Sequence, residues 1–116
     1  MSQTFPFTSP NNLSELAFTG GTTQELIFAA YDVNSNPINL SGGTINWYLA
    51  YYSDPSVSVV SLNGTSGSAT NVFHVHVPAT STVSLSGKFK QQYLIVDSSG
   101  SSYRSTGMVT IFPAIV

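Results

Sequence analysis

Cysteine is absent from the 116 residues, which removes zinc-finger, thiol-catalytic and disulfide-framework readings together. The redox compartment stays open, because a domain of this kind tolerates either one. Charge is scarce too. Lys88, Lys90 and Arg104 stand against Glu15, Glu25, Asp32, Asp54 and Asp97, 7% of the chain, where soluble domains average about 25%. Three bases cannot neutralise the roughly six to ten phosphates of a typical DNA footprint, so nucleic acid is not an expected partner. Long hydrophobic runs are also missing. No window of about 18 apolar residues offers a bilayer span, and no basic segment precedes an apolar one at the N-terminus. Neither a membrane partner nor a secretory leader is expected.

Polarity comes instead from uncharged groups: Ser, Thr and Asn supply 39 residues. The length fits one domain that can bury a core without metals or disulfides. Apolar residues recur with period two between clusters of Gly, Pro, Asn and Ser, and no ten-residue stretch carries a helical stripe. An all-β fold follows.

Strands are expected over Leu13–Thr19, Thr22–Asp32, Ile38–Leu40, Thr44–Tyr52, Val57–Leu62, Asn71–Val77, Lys88–Val96 and Tyr103–Phe112. In the second, Leu26, Phe28 and Ala30 share one face; in Thr44–Tyr52, Ile45, Trp47, Leu49 and Tyr51 do, opposite Asn46, Tyr48 and Tyr52. Asn63–Ser68 reads as a loop or wide hairpin, and 79–87 as one capped turn pinned by Leu85. Seven or eight strands at this spacing fit a two-layer antiparallel sandwich better than a closed barrel, with Trp47, Phe28, Phe73, Val75, Tyr93 and Ile95 as core. Pro6 and Pro10 remove donors from residues 1–12, so that segment reads as an extended arm carrying Phe5 and Phe7, with 13–116 as the domain. The arm docks on a partner, docks on its own edge strand, or stays a loose terminus.

From Thr19 onward, about five-sixths of the chain resembles the immunoglobulin-like domain found at the N-terminus of phage upper-baseplate proteins and in small phage virion proteins. Thr22-Thr23-Gln24-Glu25-Leu26-Ile27-Phe28, Tyr31-Asp32 and Pro37-Ile38-Asn39-Leu40-Ser41-Gly42 carry the resemblance. So do Thr82–Phe89, the hairpin Val96–Gly100 and the closing Ser105–Pro113. Phe89 departs from the family's usual tyrosine, and no coiled-coil or receptor-binding segment is expected beyond Val116. The resemblance implies an immunoglobulin-like fold and virion localisation. It also implies attachment to other virion proteins, capsid or baseplate and tail subunits, through this domain.

Catalytic readings are weak. The 19 serines include no Gly-x-Ser-x-Gly elbow. Of the five acids, Asp32, Asp54 and Asp97 sit in turn contexts where Asp caps the backbone, rather than as a pair roughly 5–10 Å apart suited to glycoside hydrolysis. His74 and His76 project from one strand face about 7 Å apart, a spacing one metal ion could bridge, yet nothing in the sequence completes the shell. An exposed polar face is the better reading, with no cofactor.

Ile27, Ala29 and Tyr31 oppose the inward Leu26, Phe28 and Ala30, so this strand is apolar on both faces. Coverage by a neighbouring subunit or by the arm is expected, which nominates Phe5, Phe7, Ile27 and Tyr31 as subunit-interface residues. Low charge favours the same use, since desolvating ions at an interface costs several kcal/mol. Self-association is a further expectation. The rival reading is a host-polysaccharide adhesion module with Asn46, Tyr48 and Tyr52 as its glycan face.

Overall fold

The computed structural model describes residues 2–5, 15–32, 34, 36–66 and 70–114. Nine strands and one helical turn follow in order: β1 Ser2–Phe5, β2 Leu16–Thr19, β3 Gln24–Ala29, β4 Thr44–Tyr51, β5 Asp54–Asn63, β6 Thr65–Ser66, β7 Val72–Val77, α1 Ala79–Thr82, β8 Gly87–Val96 and β9 Ser102–Phe112. They form two sheets, ordered β1-β3-β7-β6 and β2-β9-β8-β4-β5. The all-β sandwich read from the sequence is the architecture observed.

Two features depart from an all-antiparallel sandwich of seven or eight strands. Both N-terminal strands pair in parallel, β1 with β3 and β2 with β9. The two strands join different sheets, β1 along the side of β3 that β7 leaves open and β2 along the side of β9 that β8 leaves open. The strand count rises because β1 lies within the expected arm and because the chain changes sheet at Gly64. Its N–H donates to the Ile45 carbonyl at 2.9 Å, and Thr65–Ser66 then pairs with β7. A Cβ on Gly64 would stand 2.6 Å from Ile45 Cγ2, so only glycine fits that crossing without repacking. Ile38–Leu40 makes no strand; Pro37 forms an isolated bridge with Tyr31.

The inward residues of both sheets form one cluster including Leu26, Phe28, Trp47, Phe73, Val75 and Ile95, all fully buried. Phe28 stacks on Phe73 at 4.9 Å, and both meet the Tyr93 ring edge-on from the other sheet, at 5.9 and 5.3 Å. Burial pushes the Tyr93 hydroxyl pKa up, partly offset by its hydrogen bond with Ser105. Trp47 Nε1 donates to Gln91 Oε1 at 3.0 Å, so the one polar atom of the buried indole is satisfied. The turn over 79–82 forms as expected and Leu85 packs on the core. It lacks a side-chain cap, however, because Pro78 at the N-cap offers no acceptor. Thr82, fully buried, instead accepts the Gly21 N–H at 3.1 Å and ties α1 to the β2–β3 turn.

Candidate interaction surface

The two ends of the sandwich are built from different chemistry. One end gathers the β3 exit, the 40–43 turn and the β8–β9 hairpin. Asp97 Oδ1 accepts from Ser99 Oγ at 2.7 Å, Ser101 N at 2.9 Å and Ser99 N at 3.0 Å. These bonds, that from the Ser99 hydroxyl foremost, hold its carboxyl pKa below the ordinary carboxylate range. Asp32 Oδ1 likewise accepts the Asn34 and Asn36 N–H groups at 2.9 Å. Both aspartates therefore cap turns, as their contexts predict.

At the opposite end, β4 leaves the sheet at Tyr51 and Tyr52, β8 enters at Gly87–Phe89 and β9 exits at Phe112. The register joins them: Tyr51 pairs with Phe89, Phe89 with Val109 and Gly87 with Ile111. Val83 belongs to the same end, since a Cβ on Gly21 would lie 3.3 Å from Val83 Cγ2, while Gly20 N donates to Phe112 O at 2.8 Å. Val57 lies on β5 between Asp54 and Ser58, the residues that pair with Tyr51 and Ala50. Tyr51, Tyr52, Val57, Val83 and Phe112 are the large apolar side chains exposed among the described residues, at 45–55%, and all five stand at this end. Tyr51 lies on the inward side of β4, as the alternation predicts, yet stays half open, stacked on Phe89 at 5.6 Å. Lys90 Nζ lies 5.2 Å from the Tyr52 ring centre, a cation–π contact, and Lys88 is exposed beside it.

The residues nominated from the sequence distribute differently. Ile27 is half-buried on the outer side of β3, in register with His74 on one side and Thr4 on the other. Tyr31 is half-buried past the strand end, at the bridge to Pro37. Phe5 contributes backbone to β1, and Phe7 lies outside the described residues. Of the proposed glycan face, Tyr48 is half-buried on the outer side of β4 and Tyr52 follows at its end under Lys90. Asn46 lies two residues before Tyr48 on the same outer side of β4 and also lines a depression with Asn63 and Gly64 near the loop end.

Sequence reading missed Tyr51, Val57, Val83 and Phe112 as surface. Their signal was their place beside turns, before Ser53-Asp54, within 79–87 and before Pro113, where one sheet can outrun the other. It also missed Glu25 as the partner of His76: β3–β7 pairing sets them opposite, and His76 Nδ1 contacts Glu25 Oε1. Among the described residues no group of three or more His, Cys, Asp or Glu is placed to hold one metal ion. No helix among them is long and apolar enough to cross a membrane.

These features define an all-β, two-sheet sandwich with one apolar end. No protein family matches the chain, and no curated protein matches it. Among solved structures, the chain is similar to the N-terminal domain of phage TP901-1 ORF48, with a TM-score of 0.61 and 13% identity over 96% of each chain. Auracyanin B aligns at 15% identity over 97% of this chain and 88% of that one, with a TM-score of 0.43.

Proposed function

We propose that the chain is a non-enzymatic structural component of a bacteriophage virion, an immunoglobulin-like module that attaches to capsid or baseplate and tail subunits as a decoration or adaptor. The observation that carries this reading is that the five large apolar side chains exposed among the described residues stand at one end of a hydroxyl-rich domain. Burying them gains about 25 cal/mol per Å² of apolar area, set against the cost of desolvating or pairing Lys88, Lys90 and Asp54 beside them. The family resemblance of the sequence and the shape shared with a phage protein's N-terminal domain support the virion as the place where that end is covered. The outer face of β3 with Ile27 and Tyr31, and the arm with Phe5 and Phe7, supply a second contact in the same reading.

The test is quantitative mass spectrometry of purified particles carrying wild type or a Tyr51→Ser/Tyr52→Ser/Phe112→Ser variant. Wild type is expected at a fixed copy number per particle and the variant at least tenfold below it. Absence of wild type from particles would refute the virion assignment. Equal incorporation of both would move the attachment surface away from the apolar end.

A further inference from the structure

The edge strand β5 does not follow β4 evenly. Leu49 pairs with Val60, Ala50 with Ser58 and Tyr51 with Asp54, so Val59, and then Pro55, Ser56 and Val57, have no opposite number on β4. Bulges of this kind bend a strand and re-aim its side chains. Here the displaced segment borders a groove of about 170 Å³ on the outer face of the five-stranded sheet, lined by Tyr48, Ala50, Ser56, Ser58, Lys90 and Gln92 among others. Ala50 shows the effect directly: it shares the outer side of β4 with Tyr48, yet is only 8% exposed.

The lining offers the mixture a sugar ring needs. Tyr48 supplies an aromatic face for ring C–H groups. Arg104 Nη1 donates to Gln92 Oε1 at 3.0 Å, which fixes the amide and leaves its NH₂ as the donating side. Ser56 Oγ donates to Asp54 Oδ1 at 2.6 Å, so the hydroxyl oxygen can still accept. Lys90, one of the three bases in the chain, lines the groove; Arg104 is linked to it through Gln92 and Asp54 through Ser56.

We propose that this groove binds a saccharide, one ring stacked on Tyr48 with an acidic substituent towards Lys90. This goes beyond the attachment role and does not depend on it. One ring with few polar contacts fits a Kd on the order of 1 mM.

NMR titration of the ¹⁵N-labelled chain with glucuronate and with glucose tests the proposal. Saturable shifts at Tyr48, Lys90 and Gln92 are expected with glucuronate, and at least threefold weaker binding with glucose. Tyr48→Ala should weaken glucuronate binding at least tenfold and Lys90→Gln should remove the preference over glucose, each with an otherwise unchanged amide spectrum. No saturable shift with either sugar, or binding undiminished in Tyr48→Ala, would overturn the proposal. Particle incorporation separates it from the attachment role: Tyr48→Ala is expected to incorporate normally. A Tyr48→Ala chain lost from particles, beside a wild type that binds neither sugar, would assign the groove to a protein contact instead.

Discussion

At one end of the sandwich two aspartates turn their oxygens onto the backbone N–H groups of their own turns; at the other, Tyr51, Tyr52, Val57, Val83 and Phe112 face solvent. The same long strands β4, β8 and β9 run between the two ends, so strand chemistry does not account for the contrast. What differs is how the connections finish. An Asx-type turn satisfies its own polar groups and presents a hydrated, closed surface. The opposite end stops β4 on two tyrosines and β9 on a phenylalanine, and leaves apolar area uncovered that a neighbour can bury. A single small domain can thus close one end on its own polar groups and leave apolar side chains open at the other without a large charge count.

The largest expected effect belongs to neither end and sets the baseline. Trp47→Ala removes a fully buried indole and orphans its Gln91 acceptor, and should cost about 3–5 kcal/mol in chemical denaturation. The next pair probes how rigidly each end is closed. Gly20→Ala would place a Cβ 2.6 Å from the Thr82 carbonyl oxygen at the apolar end, and Gly43→Ala one 2.4 Å from the Val96 carbonyl oxygen at the loop end. Both clashes are with backbone, so each should cost about 1–3 kcal/mol, read by the same denaturation curves. Similar values would mean that both ends are equally built, and that only their surfaces differ.

A smaller effect is confined to the loop end. The Asp97 pKa is depressed in the folded chain, so its contribution is fully present above the carboxylate's unfolded pKa and is lost as pH falls through the lower folded value. Asp97→Ala should therefore narrow the stability gap to wild type in acid and leave the apolar end's amide shifts unmoved. Tyr51→Ser/Tyr52→Ser/Phe112→Ser removes side chains that are half buried, one of them stacked on Phe89, and should cost about 1 kcal/mol per site in the same denaturation curves, while incorporation into particles collapses.

Much of the architecture was legible because period-two alternation survives along the long strands. Thr44–Tyr52 and Tyr103–Phe112 were located within a residue of the observed β4 and β9, and the core around Trp47, Phe28 and Tyr93 follows from which side each residue takes. Pairing was less legible. Parallel addition of β1 and β2 depends on where sheet edges stand open, and the early start of β5 was hidden by Pro55, which reads as a breaker but sits in a bulge on an edge strand. The candidate surface was the least legible part. Alternation assigns Tyr51 to the inside correctly and still misses its exposure, because exposure depends on where the facing sheet ends. Ile27, an apolar residue on the outer side of β3, is half-buried between the flanking strands β1 and β7.

The central claim, attachment through the apolar end, is tested most directly by photo-crosslinking within intact particles. A photoreactive residue is placed at Tyr52 in one sample and at Ser98, exposed on the β8–β9 hairpin of the loop end, in another. A discrete crosslink from position 52 to a capsid or tail subunit and none from position 98 is predicted. Crosslinking from position 98 with none from position 52 would contradict attachment through the apolar end.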